Sequence, residues 1–187
     1  MPEAGHTVDT VLFWRLSMRK ITELLGLPVI NLATGEQIGE VQDIVIDVLN
    51  RRMLGVLLRH AGWFSSGKGI PFAHVHGITA DSLTVENAAA IVRDEAFAAQ
   101  GQTLRQEDII GKHIVTAAGK TVGTLSDIYV DINTGRLTGC EISDSVIKDL
   151  LEGRRAISLP DLQKIGKETV IVSEVPEAKQ PVEEINL

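Results

Sequence analysis

The chain has 187 residues, 44% of them apolar and only 4% aromatic, and its formal net charge is −7. This length fits one large or two small domains, and an aliphatic core poor in aromatic residues favours β-structure. The acidic balance disfavours broad nucleic-acid contact, the single cysteine excludes an intramolecular disulfide or a cysteine-based zinc site, and no apolar run reaches the roughly 18 residues of a membrane span. We therefore expect a cytoplasmic protein without a transmembrane segment.

Residues 1–19 form an N-terminal extension that does not share the internal repeat described below. The apolar stretch Val11–Trp14 is too short to span a bilayer, and no signal-peptide cleavage site follows it. Two interpretations stay open. Residues 1–17 are an extension upstream of an internal start at Met18, or they are an amphipathic segment that packs on a partner, with Trp14 as the anchor.

Two stretches, Ile38–Val56 and Val122–Glu141, superpose at an offset of about 84 positions, which indicates a duplicated β-hairpin. The matched positions include four glycines and two aspartates: Gly39 with Gly123, Asp43 with Asp127, and Gly55 with Gly139. The repeat divides the chain into a first domain (20–90), a linker whose alanine content favours a helix (91–104), a second domain (105–175) and a flexible acidic tail (176–187). Domains this small have thin cores, so we expect the halves to pack on each other or on a second chain.

Each copy begins with a short helical turn that ends at a glycine and continues into strand Pro28–Leu32 or His113–Thr116. In the next, long strand, the period of two is interrupted by a step of three. This interruption predicts a β-bulge at Asp43 and Asp127, whose carboxylates would accept the freed backbone N–H groups. The glycines at positions 55 and 139 predict a bulge or a close backbone approach.

The copies differ after the third strand, and these differences are the predicted interaction surfaces. The first copy has a glycine- and serine-rich loop carrying Trp63 and Phe64. These side chains are either interface anchors or fold back over the barrel mouth. The second copy has a helix, Ser145–Glu152, with an apolar stripe formed by Val146, Ile147, Leu150 and Leu151.

The arrangement in each copy is a helical turn ending in glycine, then G-x-[VL]-x-D-[apolar]-x-[apolar]-D, then two further hairpins. It resembles the PRC-barrel family, which includes the cytoplasmic part of the photosynthetic reaction-centre H subunit and the C-terminal domain of the ribosome maturation factor RimM. The chain is most similar to stand-alone bacterial proteins with two tandem PRC-barrels. The resemblance implies a mainly β fold of two tandem small barrels with short helical turns and one inserted helix in the second barrel. The signature residues of the family are structural.

The titratable residues give no catalytic pattern. His60, His74 and His76 are weak metal candidates, because zinc needs three or four ligands and no cysteine assists them; surface histidines are the favoured interpretation. Asp47 and Asp131 lie on the outward phase of their strands, which predicts solvent exposure. We therefore predict no metal, no cofactor and no enzymatic activity.

The predicted function is a non-enzymatic protein–protein interaction or adaptor module that self-associates as a homodimer. By analogy with the two better-known family members, the alternatives are an RNA- or ribosome-associated factor and a peripheral partner of a membrane complex. Arg51, Arg52, Arg59, Arg154 and Arg155 offer a local anion or RNA contact, against the plainer interpretation of solvated strand ends.

Overall fold

A computed structural model describes residues 17–59, 67–98, 103–143, 156–157, 159–160 and 162–174. In the described residues up to Ala98, the first repeat and the start of the linker contain eight strands, three 3-10 turns and one short α-helix. The strands are β1 (Met18–Lys20), β2 (Pro28–Asn31), β3 (Gln37–Asp47), β4 (Arg52–Arg59), β5 (Lys68–Pro71), β6 (Val75–Ile78), β7 (Leu83–Val85) and β8 (Val92–Arg93). The 3-10 turns are Ile21–Leu24, Phe72–His74 and Ala88–Ala90, and helix α1 is Glu95–Ala98.

The second repeat contains seven strands in its described part, with a 3-10 turn at Gln106–Asp108. The strands are β9 (Thr103–Arg105), β10 (His113–Thr116), β11 (Thr121–Asp131), β12 (Leu137–Ser143), β13 (Ala156–Ile157), β14 (Leu162–Ile165) and β15 (Thr169–Val172). The predicted helix Ser145–Glu152 lies outside the described residues.

The two repeats form sheets of the same topology. The strand order is β6-β7-β2-β3-β4-β5-β8 in one and β14-β15-β10-β11-β12-β13 in the other. Each sheet contains one parallel pair, β2 with β7 and β10 with β15. Strands β5 and β6 are joined by a three-residue turn but stand at opposite ends of the six-strand order that the repeats share, so the sheet must curl round to bring them together. The predicted mainly β fold of two tandem small barrels is confirmed.

The β-bulges expected in the long strands are present. The pairing register of β3 with β4 shifts between Val41 and Asp43, and that of β11 with β12 shifts between Leu125 and Asp127. Further shifts follow beside Gly55 and Gly139, where the pairing register skips Leu54 of β4 and Thr138 of β12, the residues just before the glycines in their own strands. Bulges increase the local twist and coil of a sheet, which suits closure into a small barrel.

Gly55 lies where another backbone approaches closely. A Cβ atom at this position would stand 2.2 Å from the carbonyl oxygen of Ile70 and 2.8 Å from the Phe97 ring. Phe97, on α1, is 2% exposed and packs with Val45 and Leu57 on the outer face of the first sheet. A side chain at this position would collide with the backbone of the neighbouring strand β5 and with the Phe97 ring, so packing requires the glycine.

The linker 91–104, for which alanine content favoured a helix, is only partly helical in its described residues, 91–98 and 103–104. Helix α1 spans four residues, and strands β8 and β9 flank it within the same stretch. Val92 pairs with Gly69, and Thr103 pairs with Asp47. Pairing with β5 and with the end of β3 outweighs the local helix propensity of the alanines.

The first strand of each repeat lies in the sheet of the other repeat. Strand β1 pairs antiparallel with β11, with Arg19 opposite Val130, whereas β9 pairs antiparallel with β3, with Leu104 opposite Ile46. Each repeat thus gives its first strand to the other repeat and receives one in return. This reciprocal exchange relates the two repeats by an approximate two-fold axis. The 3-10 turn that follows each exchanged strand also lies against the other repeat.

The two sheets also meet in a short antiparallel bridge, which we call the seam. Arg52 and Arg136, which are equivalent in the repeat, are paired directly across it. The N–H of Met53 donates to Gly135 O at 2.8 Å, and the N–H of Leu137 donates to Arg51 O at 2.9 Å. One hydrophobic core cluster contains residues from both repeats, so the halves pack on each other, as their small size predicted.

Candidate interaction site

Most of the predicted interaction residues lie outside the described part of the chain. They are Trp14, Trp63, Phe64, Val146, Ile147, Leu150 and Leu151, together with the weak metal candidate His60. Their roles stay predictions. The structure describes the remaining candidates, which are two histidines, four aspartates and four glycines.

His74 and His76 are both exposed, beside the start of β6. They line one open groove of about 420 Å³ together with Glu86. Among the residues that the structure describes, no three His, Cys, Asp or Glu side chains stand close enough to hold a metal ion. The histidine pair therefore lacks a third described ligand of the kind that a zinc site requires.

Asp43 and Asp127 lie at the two bulges and are both 5% exposed. Each carboxylate accepts a hydrogen bond from the next residue's N–H, Ile44 at 2.8 Å and Ile128 at 2.9 Å. Each also binds the first 3-10 turn of the other repeat: Asp43 accepts from the N–H of Gln106, and Asp127 from the N–H and hydroxyl of Thr22. Burial raises the pKa of Asp43, and the Ile44 N–H opposes that shift.

The predicted exposure of Asp47 and Asp131 is wrong for the first and only partly right for the second. Asp47 is 4% exposed, and its two carboxylate oxygens accept hydrogen bonds from the N–H of Asn50 at 2.9 Å and its side-chain amide at 2.6 Å. Asp131 is half-buried and accepts from the N–H of Asn133 at 2.9 Å. Strand phase placed both residues outward, but each carboxylate turns back to close the hairpin turn that follows it.

An ion pair that the sequence analysis missed lies on the outer face of the second sheet. Glu141 is 2% exposed, and its carboxylate contacts Lys20 Nζ at 2.6 Å. The Tyr129 hydroxyl stands 3.3 Å from the same carboxylate oxygen, and Lys20 Nζ lies 5.9 Å from the centre of the Tyr129 ring. The hydrogen bond to Glu141 raises the pKa of Lys20, while burial raises that of Tyr129.

The lysine comes from exchanged strand β1, so this ion pair ties the first repeat to the second sheet. The repeat alignment contained a signal for it. Glu141 falls on Leu57 and Tyr129 falls on Val45, so two polar side chains replace apolar ones at equivalent positions. A charged residue at an apolar position of a repeat indicates a buried partner, but the sequence does not say which residue supplies it.

With this geometry established, comparison with known proteins identifies the family. The sequence model of the PRC-barrel domain matches two segments of the chain, residues 17–92 and 102–179. The chain belongs to the PRC-barrel family. No curated protein matches it at a significant level. Each matched segment begins with its exchanged strand. In this chain, the first strand of each PRC-barrel sequence therefore pairs in the sheet of the other barrel.

The outer face of the first PRC-barrel differs from that of the second. Val45, Leu57 and Phe97 line a cleft of about 260 Å³ together with Arg105, the counterpart of Lys20. Arg105 stands 3.7 Å from Asp94 and 3.7 Å from Glu107 at the rim. The Phe97 ring thus covers this face of the first barrel, whereas the Lys20–Glu141 ion pair occupies the same place on the second.

Cys140 lies in the core of the second PRC-barrel at 0% exposure, and burial raises its pKa to about 12. A thiol that stays protonated in a closed core is not a nucleophile. No helix in the described part of the chain is long and apolar enough to cross a membrane.

Proposed function

We propose that this protein is a non-enzymatic interaction module that binds protein partners and self-associates as a dimer. The proposal rests on one observation: the buried acidic side chains of the described residues are engaged by partners within the protein. Asp43 and Asp127 bind backbone N–H groups across the repeats, Asp47 closes a turn, and Glu141 binds Lys20. Carboxylates engaged in this way serve the fold, whereas a general acid or base must reach a substrate proton.

The connection between the barrels supports an adaptor function. Reciprocal strand exchange, the seam and a core cluster shared by both repeats join the two barrels. Partners that bind such a scaffold meet surfaces already held in a fixed relation, which lowers the entropic cost of association. The predicted anchors Trp63 and Phe64 and the stripe of Val146, Ile147, Leu150 and Leu151 lie where the two copies diverge in sequence.

Light scattering at micromolar concentration tests self-association. We expect the mass of a dimer for the unaltered chain and a shift toward the monomer for Trp63→Ala, because aromatic anchors carry much of the energy of an interface. Leu32→Ala is the matched control: Leu32 is 48% exposed in a turn of the first barrel, outside the proposed surfaces. A monomeric mass that Trp63→Ala leaves unchanged would contradict the dimer.

A further inference from the structure

We propose that the seam carries a recognition site for an acidic segment of a protein partner, built on Arg52 and Arg136. The inference rests on the proposed interaction function and adds the chemistry of the partner. It follows from the backbone pairing at the seam, the charges around it and an exposed apolar residue in the same turn.

The pairing at the seam places the two arginine side chains side by side. The hydrogen bonds from Met53 to Gly135 and from Leu137 to Arg51 flank Arg52 and Arg136, which makes these two a non-hydrogen-bonded antiparallel pair. In such a pair the side chains share one face of the sheet and approach more closely than in a hydrogen-bonded pair. Both arginines are exposed, and Met53 and Leu137 are buried on the opposite face.

Like charges directly opposite each other destabilise a sheet, and an anion bound between two cations offsets their repulsion. Neither Arg52 nor Arg136 forms an ion pair with a described carboxylate. The nearest candidates along the strands are Asp47, which is paired with Arg52, and Asp131, whose N–H donates to Arg136 O. Asn50 and the N–H of Asn133 hold these two carboxylates in their own turns. Neither carboxylate stands within ion-pair distance of either guanidinium group, so among the described residues both arginines have their charged ends free to contact an acidic ligand.

Two neighbouring guanidinium groups suit a carboxylate-bearing ligand. Guanidinium binds carboxylate through two parallel N–H···O bonds, and it is weakly hydrated enough to be used at protein interfaces. Since the two groups are related by the approximate two-fold axis, they can bind one carboxylate between them or two successive acidic residues of an extended segment.

The surroundings favour an acidic protein segment over a nucleic acid. The chain carries 18 basic and 25 acidic residues, and a phosphate backbone would meet this excess of negative charge beyond the seam. An acidic side chain brings its charge to the arginine pair alone. Leu49, which is 59% exposed in the turn that leads to Arg52, offers an apolar contact that a peptide side chain would use.

Fluorescence anisotropy with two labelled probes on the full chain tests the site. The first probe is a peptide of sequence Ser-Gly-Leu-Glu-Glu-Leu-Gly-Ser, which carries two acidic side chains, and the same peptide with Gln in place of Glu is its control. The second is a uridine oligonucleotide of matched net charge. We expect the acidic peptide to bind at low ionic strength, the Gln peptide not to bind, and added salt to weaken binding because the pair is exposed.

The variants Arg52→Gln and Arg136→Gln should each weaken peptide binding by about tenfold, the size expected when a charge-assisted hydrogen bond is lost. Arg93→Gln is the matched control, because Arg93 is exposed on β8 outside the seam and removes the same charge. Circular dichroism verifies that each variant is folded.

Three results would overturn the proposal: no peptide binding, an equal loss in all three variants, or tighter binding of the oligonucleotide. The proposed function fails separately. A chain that dimerises through Trp63 but ignores the peptide refutes the seam site alone, and a monomer that binds the peptide through the two arginines refutes the dimer alone.

Discussion

The Asp43 carboxylate accepts a hydrogen bond from the N–H of Gln106 at 3.1 Å, although the two residues are 63 positions apart. Asp127 does the same for Thr22, 105 positions earlier in the chain, at 3.4 Å. Each bulge aspartate thus binds the first 3-10 turn of the other repeat. The bulge that helps each sheet to close therefore also places an aspartate that links the two barrels.

Removing the Asp43 carboxylate should destabilise the whole molecule. Asp43→Ala leaves the buried N–H of Ile44 and the partly buried N–H of Gln106 without an acceptor, so we expect the free energy of unfolding to fall by about 2–3 kcal/mol. Asp43→Asn keeps one acceptor oxygen and should lose less. Urea denaturation provides the measurement. Asp81→Ala, in an exposed turn, is the control and should change stability by less than about 0.5 kcal/mol; equal losses at positions 43 and 81 would refute the capping role.

The raised pKa of Asp43 gives a pH dependence of defined sign. A folded-state pKa above the unfolded value of 3.8 stabilises the protein at low pH, and this contribution is lost as pH rises through the folded pKa. The stability of the unaltered chain relative to Asp43→Asn should therefore decline as pH rises from about 3 to about 7. Urea denaturation of both proteins across this range measures the difference. A constant difference would show that Asp43 titrates alike in the folded and unfolded chains.

Removing one partner of the Lys20–Glu141 pair should lower the free energy of unfolding more than replacing both partners with apolar residues. Lys20→Met leaves a buried carboxylate without its lysine, so we expect a loss of about 2–3 kcal/mol, reduced from the fully buried case because Lys20 is partly exposed. The double variant Lys20→Met with Glu141→Leu, which introduces the residue type of Leu57, should recover to within about 1 kcal/mol of the unaltered chain.

Chemical denaturation of the single and double variants gives the coupling free energy of the pair. Arg19→Met is the control, because the neighbouring Arg19–Glu23 pair is 3.8 Å apart and its carboxylate is exposed, and exposed pairs contribute less than about 1 kcal/mol. If Lys20→Met cost no more than Arg19→Met, the buried pair would not hold β1 in place.

Packing requires a glycine at position 55, whereas position 77 has room for a side chain. Gly55→Ala forces a methyl group against the Ile70 backbone and the Phe97 ring, so we expect a loss of more than about 3 kcal/mol or failure to fold. At Gly77 the nearest atom is Thr84 Oγ1 at 3.4 Å, an ordinary contact, so Gly77→Ala should change stability by less than about 1 kcal/mol. Thermal unfolding compares the two, and equal melting temperatures would argue against the close approach.

The sequence could predict the features that depend on local pattern. The repeat, the alternation along the long strands and its interruption at Asp43 and Asp127 gave the mainly β fold and the bulges. Exposure of Asp47 was mispredicted for a physical reason. Alternation assigns a residue to a face of the sheet, but a carboxylate one residue before a turn can leave that face to bind the turn N–H groups.

The sequence by itself determined that two similar barrels form, because hydrophobic periodicity and glycine positions act within one strand or turn. Only the tertiary structure decided which barrel receives each first strand. Strand pairing uses backbone hydrogen bonds, which are the same for every residue type. Strand β1 could therefore form the same antiparallel pattern with either long strand. The exchange brings Lys20 to Glu141, and the seam between the barrels brings Arg52 to Arg136. Both contacts join residues that are far apart in the chain, and for that reason no local pattern reveals them.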